Sequence, residues 1–183
     1  EFHLYPFSVN ELSGLYSKTE IERLLERRII YGMYPEVVLK EDPDLIGQLA
    51  DSYLYKDVLA YQNIKRHDIL IKLLQALALQ IGSEVSYNEL SNMIGIDKKT
   101  VENYLNILEQ SFVIFRLMPF SRNLRNELKK LRKIYFYDTG IRNALVSNMN
   151  PLNIRNDDNN CIFFKTASAL CKFKLLNVKA NVE

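Results

Sequence analysis

Residues 86–138 constrain this chain most: SYNELSNMIGIDKKTVENYLNILEQSFVIFRLMPF, a basic loop, then KIYFYD. Ser86 and Glu89 have the spacing of a capping box, which opens a helix over 86–94, and Gly95 supplies a left-handed stop. Asp97 caps the next helix, in which Val101, Tyr104, Leu105 and Leu108 fall on one inward face. Only Gly95-Ile96-Asp97 separates the two, the short turn that a helix-turn-helix requires. FVIFRLM over 112–118 is β-branched and aromatic and predicts a buried strand, with IYFY over 134–137 as its partner. The expected fold class is therefore mainly α with a small β component: a helical segment plus a winged helix, meaning a helix-turn-helix with a β-hairpin wing.

The rest of the chain reads as helices and their stops. Residues 1–7, EFHLYPF, alternate as a strand with no partner nearby, which predicts pairing with a segment upstream of Glu1. Ser8 with Glu11, and Thr19 with Glu22, are capping boxes, the second opening a helix with Ile21, Leu24, Leu25 and Ile29 on one face. That helix stops near Gly32, because Tyr34 precedes Pro35. Asp42-Pro43 starts a helix over 43–62, with Leu45, Ile46, Leu49, Tyr53, Leu54 and Val58 inward. A further helix over 67–81 carries the stripe Leu70, Leu73, Leu74, Leu77 and Ile81, and Gly82 ends it. Asp138-Thr139-Gly140 starts a short last helix, IRNALV, before the polar run SNMNPLNIRNDDNN.

Several kinds of chemistry are excluded or disfavoured. A P-loop needs two glycines five apart before a lysine, and the six glycines at 14, 32, 47, 82, 95 and 140 contain no such pair. The two cysteines, Cys161 and Cys171, have only His3 and His67 as further soft ligands, which disfavours a structural zinc site. The longest uncharged apolar stretch, Leu73 to Ser83, has 11 residues, whereas a membrane span needs about 20. With no membrane segment or signal peptide read, a cytoplasmic location is expected. Glu127-Leu128-Lys129 matches half of a metal-dependent nuclease motif, but a solvated charge pair is the favoured reading. His67 lacks an evident nucleophile beside it, and Asp157-Asp158 reads as a solvated linker.

The strongest local feature is charge. Between Arg116 and Lys133 seven basic residues face Glu127 alone, a net of +6 in a chain whose total is +2. Such a concentration suits a phosphate backbone. The exposed face of the second helix is expected to carry Lys98, Lys99, Glu102, Asn103, Asn106 and Glu109. The residues expected to contact nucleic acid are Lys98, Lys99 and Asn103 on the helix, with Arg122, Arg125, Lys129, Lys130, Arg132 and Lys133 on the wing. The mixed sign of the helix face suits a protein-interaction module nearly as well.

Five ordered motifs carry a resemblance: LYPFSVNELS, YGMYPEVVL, YLYKDV, the block from IGSEVSYNELS to PFSRN, and KIYFYDTGIRNAL. Over residues 1–157 the chain resembles the C-terminal part of a prokaryotic group of AAA-type ATPases, which have a P-loop core followed by a domain of unknown function. The resemblance implies that residues 1–12 are the last strand and exit of the core, 13–64 a helical linker or lid, and 65–150 a winged-helix-like domain. Residues 151–183 are then a polar linker and divergent tail, lacking the Gly-containing, Trp-Glu-Asn-like helix with which the group continues. ATP and magnesium are implied only for full-length relatives, so this chain is expected to need no cofactor and to be non-catalytic. Double-stranded DNA is the partner expected, with a protein partner or the ATPase core as the alternative.

Overall fold

The computed structural model describes residues 5–40, 42, 44–52, 66–117 and 132–155. Its helices are α1 (Val9–Leu12), α2 (Lys18–Tyr31), α3 (Pro35–Lys40), α4 (Leu45–Ser52), α5 (His67–Leu79), α6 (Tyr87–Ile94), α7 (Lys98–Gln110) and α8 (Thr139–Leu145). Strands β1 (Glu84–Val85), β2 (Ile114–Leu117) and β3 (Arg132–Phe136) form an antiparallel sheet in the order β1-β3-β2. The fold is mainly α with a small β component.

Local caps set most boundaries. Ser8 and Glu11 form the reciprocal capping box expected for α1. For α2 the box is Ser17 with Glu20, not Thr19 with Glu22, so the helix begins a residue before Thr19. Tyr16 and Ile21, at the positions of a hydrophobic staple around that cap, line one cavity and favour the earlier start. At α6 only half of the expected box is present, with Ser86 accepting from the Glu89 amide. Gly95 takes the left-handed conformation, and Asp97 accepts from the Thr100 amide.

Other expectations shift. Residues 5–7 lie in no strand; Phe7 N–H donates to Met33 carbonyl at 2.8 Å instead. Helix α5 ends at Leu79, short of Ile81, although Ile81 is buried. Helix α4 starts at Leu45, and the rest of the span expected to be helical to residue 62 lies outside the described residues. The six-residue α3 and the two-residue β1 were not foreseen, being too short to show a period. Met118 lies outside the described residues, and strand β2 starts at Ile114, two residues later than expected, because Phe112 takes φ 54° and breaks the extended run. Its ring packs edge-on to Tyr5 at 5.5 Å and Tyr137 at 5.9 Å, contacts that hold it there. Strand β3 starts two residues earlier than the IYFY run.

The core lies between α5, α6, α7 and the sheet. Leu70, Leu73, Leu74 and Leu77 of α5 meet Leu90 of α6, Val101, Leu105 and Leu108 of α7, and Ile114, Phe115, Ile134 and Phe136 of the sheet. All the inward positions expected for α5 are buried, as is the α7 stripe except the half-buried Tyr104.

Helix α8 joins the N-terminal helices to this core, packing against α2, α4 and α5. A Cβ on Gly140 would lie 2.2 Å from the Tyr31 carbonyl oxygen, so the last turn of α2 and the first of α8 touch backbone to backbone. Gly140→Ala should therefore lower stability by about 2–4 kcal/mol. Gly47→Ala, with nothing within 4 Å in α4, should raise it by about 0.5–1 kcal/mol. Urea denaturation of both variants checks the contrast.

Candidate functional site

Helix α7 presents its N-terminal half to solvent, with Lys98, Lys99, Glu102 and Asn103 exposed. The C-terminal half differs from the expected face. Asn106 and Glu109 are half-buried and engaged by Arg116 of β2, which donates from Nε to Glu109 Oε2 at 2.8 Å and from Nη2 to Asn106 Oδ1 at 2.8 Å. Nη2 also contacts Glu109, Nη1 reaches the Tyr87 hydroxyl at 3.4 Å, and the Arg116 amide donates to Glu109 Oε1 at 3.1 Å. Burial works against the guanidinium charge, but Glu109 and Tyr87 outweigh it and hold its pKa above the ordinary arginine value. Arg116 thus leaves the basic footprint and Glu109 leaves the exposed face. The signal for this clamp was an arginine inside an apolar strand, which needs a partner.

Because Arg116 reaches back to Asn106, β2 runs back alongside α7, with Leu117 and Lys133 further in that direction. Of the basic residues expected on the wing, Arg132 is half-buried opposite Val85, and Lys133 is exposed opposite Glu84, which offsets part of its charge. Arg122, Arg125, Lys129 and Lys130 lie outside the described residues, as do Glu127, Asp157, Asp158, His3 and both cysteines. His67 stands exposed at the start of α5. Among the described residues no group of three or more His, Cys, Asp or Glu is placed to hold a metal ion. No described helix is long and apolar enough to cross a membrane.

A second region was not foreseen from sequence. A cavity of about 230 Å³ lies between residues 5–10, α2 and the end of β3, walled by Phe7, Leu12, Leu24, Ile29, Met33 and Tyr137. Arg28 lines it, buried, with its guanidinium 5.8 Å from the Tyr16 ring centre. Asp138 forms part of its wall. That carboxylate accepts from Met33 N–H at 2.7 Å and Ile141 N–H at 3.0 Å. Complete burial pushes it up to about 6, against the amides of Met33, Ile141 and Gly140, which favour the charged form.

Residues 22–157 match the model of a family described as a domain of unknown function, DUF8612. The chain belongs to that family. An uncharacterized protein of Haemophilus influenzae is 24% identical over 154 residues, covering 78% of this chain and 38% of the relative. Two uncharacterized proteins of Methanocaldococcus jannaschii, MJ1544 and MJ1637, are 26% and 25% identical over 146 and 178 residues. They cover 72% and 78% of this chain but only 32% and 37% of their own lengths. The chain therefore spans less than two fifths of the length of each of these relatives. No solved structure matches it.

Asp138 gives this DUF8612 domain a pH dependence of definite sign. Its folded pKa, about 6, lies above the ordinary 3.8, so the folded state binds more protons between those values. Its contribution to stability should rise by about 1–3 kcal/mol as pH falls from 7 towards 4.5. Glu20 and Asp97 have lowered pKa values from their Ser17 and Thr100 hydrogen bonds, so their caps are lost only at lower pH. Denaturation curves at pH 7.5, 6 and 5 should show the rise, and Asp138→Asn should flatten it whatever its absolute stability.

Proposed function

We propose that this chain is the non-catalytic C-terminal part of an AAA-type ATP-binding protein, and that its central unit is a winged-helix module that binds double-stranded DNA. The AAA-type assignment is supported by the five ordered motifs and by the greater length of the relatives, which leaves room for an ATPase core. The winged-helix reading is supported by the succession β1, α6, tight turn, α7, β2, β3, with β3 central in the sheet. One observation carries the nucleic-acid reading. The solvent-facing half of α7 holds two lysines and an asparagine against the single carboxylate of Glu102, since Glu109 is occupied by Arg116. Lysines there suit phosphates, and Asn103 has the donor and acceptor pair that reads adenine. Lys133, paired with Leu117 one residue beyond Arg116, adds an exposed cation that Glu84 offsets in part.

Fluorescence anisotropy of a labelled duplex, titrated at several salt concentrations, tests this reading. Binding should weaken steeply with salt, and Lys98→Glu with Lys99→Glu should lower affinity at least tenfold and flatten the log–log slope by about 2. Absence of binding at low salt would remove DNA as the partner.

A second reading, docking on an ATPase core or another protein, is favoured by the exposed Val9, Leu15 and Leu25 near the apolar cavity. It predicts concentration-dependent self-association on size exclusion, abolished by Val9→Asp with Leu25→Asp. A clean monomer at all concentrations argues against it.

A further inference from the structure

We infer that Arg116 is a positioning residue that masks the acidic end of the α7 face, so that the surface offered to a polyanion is net cationic; this rests on the nucleic-acid reading above. Residues 98, 102, 106 and 109 follow one another along one stripe of α7, and the stripe carries two carboxylates, Glu102 and Glu109. Glu109 lies in the last turn, where the helix dipole disfavours a negative charge, so helix electrostatics alone gives no reason for an acid there. The strand that follows supplies the reason. Arg116 engages both Glu109 oxygens, one through its own backbone amide, and its guanidinium spans Glu109, Asn106 and Tyr87 with all three nitrogens engaged.

The Arg116 side chain is 14% exposed and that of Glu109 32%, so the pair is partly withdrawn from water and holds its geometry better than a surface ion pair would. Arg116 is therefore unsuited to contacting phosphate itself. Its contribution is to cancel Glu109 and to fix β2, and with it the base of the ribbon, against α6 and α7. Without it, the stripe would end in an uncompensated carboxylate beside the path of the backbone.

The 183-residue chain with Glu109→Gln, Arg116→Met and both together, titrated against a labelled duplex over a range of salt, tests the inference. Glu109→Gln keeps one of the two acceptor oxygens for Arg116 and removes a negative charge from the stripe, so binding should tighten roughly three- to tenfold with a log–log slope steeper by less than the roughly 0.9 of a direct phosphate contact. Arg116→Met should weaken binding by a similar factor and flatten the slope, and the double variant should return to within about threefold of the parent. A purely structural staple would weaken all three variants at unchanged slope, which would overturn the inference. If thermal melting shows that Arg116→Met does not fold, the Glu109→Gln slope decides, and an unmoved slope overturns it. A parent chain that binds no duplex overturns the nucleic-acid reading and this inference together. A parent that binds, with Glu109→Gln indistinguishable from it, overturns this inference alone.

Discussion

The last carbonyls of α2 and α5 have no intrahelical donors, and at the buried residues Ile30 and Ala78 the fold itself must supply them. Helix α8 supplies them. Asn143 Nδ2 donates to the carbonyls of Ile29 and Ile30 at 3.2 and 2.8 Å, and Arg142 Nε donates to that of Ala78 at 2.9 Å. The Arg142 cation sits at the negative end of α5, where the helix dipole favours it. Asn143 Oδ1 in turn accepts from Arg142 and from Arg155, whose guanidinium also binds the carbonyls of Asn148 and Asn150. Asp138 closes the other side by accepting from Met33 and Ile141. The run from Asp138 to Asn143 is thus a polar rivet between the N-terminal helices and the sheet-bearing core, and Gly32 and Gly140 give it the space to close.

The parts legible in the sequence are those decided within a few residues. Ser8 with Glu11, the left-handed Gly95 and the Asp97 cap act through neighbours three or four residues away, and the structure keeps all three. Where two local patterns competed, the rule could not choose. Ser17 with Glu20 and Thr19 with Glu22 satisfy the same spacing, and the packing of Tyr16 and Ile21 around one cavity favours the first. The apolar stripe of α5 was readable because its period is strong, whereas β1 has only two residues and exists because β3 pairs with it. Arg142 and Asn143 looked like ordinary polar positions of a short helix. Their burial depends on helix ends more than sixty residues away, which no local window contains.

The candidate surface was legible in outline and wrong in detail for the same reason. Charge counted along the chain treats Arg116 and Glu109 as members of a basic run and an exposed face, but a strand folding back along a helix makes them partners. What is left on α7, Lys98, Lys99 and Asn103 against Glu102, is smaller and less mixed than the sequence suggested. The cavity beside α2 had no sequence signal, because its walls come from residues 5–10, α2 and the end of β3, segments that are apolar for ordinary reasons of burial.

The rivet also bears on the order in which the chain can assemble. Its hydrogen bonds join residues 105 positions apart at Asp138 and Met33, and 113 apart at Asn143 and Ile30. Contacts of such separation close large loops before they are rewarded, and they slow the search for the native state. During synthesis the Ile29 and Ile30 carbonyls therefore have water as their partner until Asn143 has been made. A chain that stops short of residues 138–143 lacks the side chains that bind the end of α2 and the Met33 amide.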